Sequence, residues 1–112
     1  MAYSERLAER MRRILAERSE TMKTTEKKMF GGLAFMVDGN MCCGVLGDEL
    51  MARVGPETYE DALRLPHARE MDFTGRPLTG YVYVSAEGVA SASGLADWVS
   101  RALAFVDTLP AK

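Results

Sequence analysis

Between residues 4 and 18, apolar side chains recur at Leu7, Met11, Ile14 and Leu15. These spacings of four, three and one put them on a single stripe of a helix. Ser4 stands where an N-cap belongs, and Glu5 follows at the helix end that favours negative charge. Residues 19–25 have no apolar period and are expected to form a loop. From 26 to 54, short apolar runs alternate with glycine-bearing pairs, the pattern of successive antiparallel strands. Runs 33–37 and 41–46 flank Asp38-Gly39-Asn40, where glycine supplies the positive φ of a tight hairpin. Gly47-Asp48 offers a second turn before 49–54. Gly31-Gly32 interrupts the strand arriving through Phe30 and predicts a bulge or a bend.

Gly55-Pro56-Glu57 opens a second, short helix, since proline is tolerated at the first helical position. Its inner stripe is Tyr59, Ala62 and Leu63, and Leu65-Pro66 ends it. Residues 70–73 alternate as a strand, and Thr74-Gly75-Arg76-Pro77 is a turn. Tyr81-Val82-Tyr83-Val84 is aromatic and β-branched throughout, the strongest strand signal in the chain. After a turn at Ala86-Glu87-Gly88, a last helix is predicted over 93–108, with Leu95, Trp98, Val99, Ala102, Leu103 and Val106 at helical spacing. The order is helix, three or four strands, short helix, two strands, helix. That predicts an α+β fold, a two-layer antiparallel sheet with helices on one face.

With 112 residues and no internal repeat, the chain is expected to be one domain over 1–112, its core at about 5–107 and its end ragged after Thr108. A net charge of -2 argues against non-specific coating of nucleic acid. The charge is uneven, with residues 1–28 at +3 and the remainder at -5. No apolar signal-peptide core or stretch long enough to span a bilayer is present, so no membrane association is expected. The two adjacent cysteines do not make a disulfide framework, which favours a reducing, cytoplasmic location.

Candidate chemistry is sparse. On a strand, Cys42 and Cys43 would face opposite ways, one into the core and one outward, so they do not chelate one metal together. His67, the only histidine, follows Pro66 and is expected in a solvated loop. The competing reading makes it the base of a thiol nucleophile at Cys42 or Cys43, in a small-molecule pocket or minor enzyme. Arg6, Arg10 and Arg13 share a helical stripe and, with Lys27 and Lys28, would suit phosphate contacts in a nucleic-acid-binding regulator. Glu5, Glu9, Glu17, Glu20 and Glu26 are interspersed, which equally suits a salt-bridged solvated face. Gly31-Gly32 has no following Gly-Lys-Ser/Thr and is no phosphate loop. Arg69, Asp72 and Arg76 form either an ion-pair network blunting a sheet edge or a recognition edge. Of eight methionines, Met29, Met36, Met41, Met51 and Met71 fall in predicted strands, where they fill an irregular core or line an adaptable binding surface. No catalytic set, metal site or cofactor motif is expected.

Lys28-Met29-Phe30-Gly31-Gly32-Leu33-Ala34-Phe35-Met36-Val37-Asp38-Gly39 resembles the opening of the TfoX N-terminal domain family. Gly75-Arg76-Pro77-Leu78 ahead of Tyr81-Val82-Tyr83-Val84, and Trp98 in the last helix, fit the same family, although members often carry Met where Leu78 stands. The resemblance covers about residues 5–107. It implies a secretion-chaperone-like fold of order α-β(3)-α-β(2)-α and a homodimer, since such folds often pair. The family's named members regulate competence genes for DNA uptake and carry a second, C-terminal domain. This chain ends where that domain would begin. The resemblance brings no catalytic motif. Together these readings predict a non-enzymatic regulatory module that binds a protein partner through a sheet edge or an uncovered sheet face bearing Met and aromatic residues.

Overall fold

The computed structural model describes residues 3–18, 23–29, 31–72 and 77–110. The first helix, α1, spans Glu5–Arg18, and the Ser4 Oγ accepts a hydrogen bond from the Leu7 N–H at 3.2 Å. Leu7, Ala8, Met11 and Leu15 are buried and Ile14 is half-buried, as the apolar stripe requires. Four strands follow: β1 Thr24–Met29, β2 Gly32–Val37, β3 Asn40–Leu46 and β4 Glu49–Arg53. After α2 (Tyr59–Leu63) come β5 (Ala68–Asp72) and β6 (Pro77–Val84). A short 3-10 helix, Ala86–Val89, leads into α3, Ala92–Val106. The six strands make one antiparallel sheet in the order β1-β2-β3-β4-β6-β5.

The α+β architecture is as expected, with one strand more in the first group than the α-β(3) order implied by the resemblance. Strand pairing begins at Thr24, inside the segment expected to be a loop. The glycine pair is also more than a bulge. Met29 pairs with Gly32, so the chain reverses between them with Gly31 at φ 76°. Phe30 lies outside the described residues, as do residues 73–76, which carry most of the expected Thr74–Pro77 turn and the candidate Arg76. The next reversal has positive φ at both Asp38 (51°) and Gly39 (84°), the requirement of a type I′ hairpin turn.

The second helix starts at Tyr59, not at Gly55-Pro56. Gly55 has φ 88°, outside the helical region, and the N–H groups of Val54 and Gly55 both donate to the Gly80 carbonyl. The chain leaving β4 is thus held to β6 before it can wind. Thr58 Oγ1 donates to the Val54 carbonyl at 2.7 Å instead of capping the helix.

The main core lies between the helices and one sheet face. Leu33, Phe35 and Val37 of β2, Cys43 and Val45 of β3, Leu50 and Ala52 of β4, and Val82 and Val84 of β6 supply that face. The helices contribute Leu7, Met11 and Leu15, then Tyr59 and Ala62, then Leu95, Trp98, Val99, Ala102, Leu103 and Val106. Asn40, the one buried polar side chain among the described residues, donates through Nδ2 to the Pro110 carbonyl at 3.0 Å and ties down the end of the chain.

Candidate functional site

Side chains alternate along a strand, so every second residue of the sheet points away from the helices. There Met51, Met71 and Tyr83 form a second buried cluster, with Met41, Leu46 and Tyr81 packed half-buried around it. Every one of these residues belongs to a strand. Met51 is fully buried, and Gly44 gives it room. Its Cε lies 2.7 Å from where a Cβ on Gly44 would stand, so the thioether lies over a position that has no side chain.

Two arginines edge this face. Arg69 stacks over Tyr83, its Cζ 4.6 Å from the ring centroid, and is ion-paired with Glu49. Burial pushes the Tyr83 phenol up from its ordinary range; Arg69 opposes this, and Glu49 and Asp72 add to it. Arg69 and Asp72 therefore sit at the rim of this face, opposite the helices. Arg53 differs in kind. Its Cζ lies 5.6 Å from the Tyr81 centroid and 5.3 Å from that of Phe105, and its Nη1 donates to the Met41 carbonyl at 3.3 Å. Among the described residues it has no carboxylate partner. It is a half-buried guanidinium held between two rings, with no carboxylate among the described residues to meet its charge.

The basic stripe of α1 is not assembled as one patch. Arg10 donates to the carbonyls of Ala90 and Ser91 at 3.2 and 3.4 Å, tying α1 to the start of α3. Arg12 grips Glu26 of β1 through Nε and Nη2 at 2.6 and 3.0 Å, and Glu26 holds its pKa above the ordinary arginine value. Arg13 lies 4.0 Å from Glu9, and Arg6 is exposed. Lys27 pairs with Ala34 and Lys28 with Leu33, which places the two lysines on opposite sheet faces.

The cysteines correct a sequence expectation. Both are fully buried and both belong to the helix-side core. Phe35 pairs with Cys43 while Met36 pairs with Met41, so β3 spends an extra residue, Cys42, where β2 advances by one. This is a β-bulge, and it cancels the alternation that would have turned one thiol outward. A hydrogen bond to Cys42 and then burial push the Cys43 thiol well above its ordinary range. His67 is exposed, in positive φ at 70°, and plays no part in that shift. The structure does not bring together a nucleophile–base pair from these residues. Among the described residues, no three His, Cys, Asp or Glu side chains converge as metal ligands, and no helix is long and apolar enough to cross a membrane.

The raised Cys43 thiol is expected to set an alkaline limit on stability. An unfolded thiol ionises near pH ~8.5, whereas Cys43 in the fold holds its proton well beyond. Above that pH the native state binds more protons than the unfolded one, so stability falls as pH rises, at a limiting slope of ~1.4 kcal/mol per unit. Below it the contribution is fully present. Denaturant unfolding from pH 7 upward is expected to show the decline, and Cys43→Ala to flatten it. An unchanged slope in that variant would assign the loss to the buried phenols of Tyr59 and Tyr83, which are also raised.

Arg53, Tyr81 and Phe105 were not singled out from sequence. The signal available was the cross-strand pair Arg53–Tyr81, which exists only once β4 and β6 are known to be neighbours. Compared with known families, residues 17–106 match the model of the TfoX N-terminal domain. No curated protein and no solved structure matches the chain.

Proposed function

The chain belongs to the TfoX N-terminal domain family, and from that premise we propose that it is a non-enzymatic, competence-regulator-like module that docks a protein partner on the sheet face opposite the helices, at its half-buried edge around Arg53. One observation supports this reading: the Arg53 guanidinium, set between Tyr81 and Phe105 beside the half-buried Met41 and, among the described residues, without a carboxylate partner. A partner bringing an acidic side chain to Arg53 and apolar groups to Met41, Leu46 and Tyr81 would cover these half-buried residues and meet the charge in one step. Guanidinium stacked on aromatic rings is preorganised for such a contact. Flexible methionines around it can adapt to the incoming surface.

The test is affinity capture from lysate of the native cell after nuclease treatment, comparing wild type with Arg53→Gln and Met41→Glu. Glu60→Gln, on the exposed side of α2, serves as the control. A protein retained by wild type and control, and reduced at least about tenfold by both face variants, is the expected result. Recovery unaffected by the face variants would overturn the assignment of the surface. Recovery lost on nuclease treatment would favour the nucleic-acid reading and direct attention to Arg6 and Arg13. Sedimentation of the same variants shows whether the partner is a second copy, because a dimer seated on this face would dissociate in Met41→Glu.

A further inference from the structure

A cavity of about 430 Å³ opens between the loop that follows β4 and the last two turns of α3. Its apolar wall is Val54, Pro56, Ala104 and the ring of Phe105. The size and character suit a small organic molecule. The polar groups at its edge decide which kind.

Glu57 lines the cavity and is exposed, and among the described residues it has no ion-pair partner. Arg101 also lines it, but its charge is met by Asp97 at 3.0 Å and its guanidinium is drawn back over Trp98. Thr58 and Thr108 spend their hydroxyl protons on the carbonyls of Val54 and Phe105, at 2.7 and 2.6 Å, so toward the cavity they offer oxygen lone pairs. The cavity also borders the C-terminal end of a 15-residue helix with no basic residue in its last turn and Asp107 at its cap. That end carries partial negative charge. The Glu57 carboxylate, the hydroxyl oxygens and the helix terminus all favour a cationic donor, and Arg101, the one cationic residue lining the cavity, is already met by Asp97; Arg53 lies over the Phe105 ring but does not line the cavity.

We propose that this cavity is a binding site for a small apolar ammonium, an aromatic or short aliphatic body bearing one primary amine. The body rests on Val54, Pro56, Ala104 and Phe105. The ammonium donates to Glu57, with Thr58 or Thr108 as the second acceptor. The site shares Phe105 with the docking surface proposed above, but its test rests on Glu57 and Ala104, which that surface does not use.

Three probes of nearly equal shape test it: 2-phenylethylammonium, 2-phenylethanol and phenylacetate, titrated into the 15N-labelled full chain. The expected result is saturable shifts at the amides of Glu57, Thr58, Ala104 and Phe105, with the ammonium bound about tenfold or more tighter than phenylacetate. Glu57→Gln is expected to weaken the ammonium by about tenfold and leave 2-phenylethanol unchanged. Ala104→Phe should fill the cavity and remove binding of all three, while amide shifts far from the site confirm that the variant is folded. Phenylacetate binding as tightly as the ammonium would overturn the proposal. So would an ammonium affinity indifferent to Glu57→Gln, binding that persists in Ala104→Phe, or the absence of saturable shifts with every probe.

Discussion

Replacing Phe35 with alanine is expected to lower the unfolding free energy by about 3–5 kcal/mol. Phe35 is 2% exposed and is the largest side chain buried almost completely among the described residues. It stands in β2 between Glu26 of β1 and Cys43 of β3, at the step where the bulge begins. Relaxation into the vacated space is limited. The sheet backbone is fixed by pairing on both sides, and above lies α1, held by the grip of Arg12 on Glu26. A loss of this size is a large share of the roughly 5–15 kcal/mol that stabilises a typical domain. Urea unfolding with an unchanged m-value reads it directly. A loss below ~1 kcal/mol would show that Leu15, which shares a surface cleft with Phe35, closes over the gap.

Gly44→Ala is the second substitution with a large expected effect, about 1–3 kcal/mol from overpacking. Its Cβ would lie 2.6 Å from the Leu33 carbonyl oxygen, 2.7 Å from Met51 Cε and 3.2 Å from Ala34 Cα. The methionine can swing away. The carbonyl and Cα belong to the neighbouring strand, and moving them weakens the β2–β3 ladder. Displaced Met51 would no longer lie over residue 44, so its methyl resonance should shift with the stability loss. Gly47→Ala is the informative contrast. A Cβ there meets nothing within 4 Å, and only the φ of 60° resists it, a cost of roughly 1–2 kcal/mol without any effect on Met51. Equal methyl shifts in both variants would remove the packing explanation.

Much of the fold was legible because its signals are local. Leu7, Met11 and Leu15 make a stripe by spacing alone, and Asp38-Gly39 makes a hairpin because both residues must accept positive φ. Tyr81 to Val84 form a strand by intrinsic preference. The errors were also physical. Gly31-Gly32 showed that the backbone needed freedom, and a bulge and a full reversal make the same local demand. Gly55-Pro56 looked like a helix start because nothing nearby reveals that Gly80 already holds the backbone there. The bulge that buries both Cys42 and Cys43 is a mismatch in count between two strands, which neither strand records by itself.

The candidate sites were less legible for the same reason. Arg6, Arg10 and Arg13 looked like one basic stripe until the backbone of residues 90 and 91 was set against Arg10 and the carboxylate of Glu9 against Arg13. Arg53 stands out only when Tyr81 and Phe105, distant in the chain, close around it. The cavity joins residues 54–58 to residues 101–108. What this sequence determined by itself was the set of elements, their order and the apolar faces of the helices, because dihedral preference and periodicity act within a few residues. What the tertiary structure decided was which charges are matched, which sheet face the helices pack on and where a cavity opens. Those depend on contacts between segments tens of residues apart, and the geometry of such contacts exists only once the chain has folded.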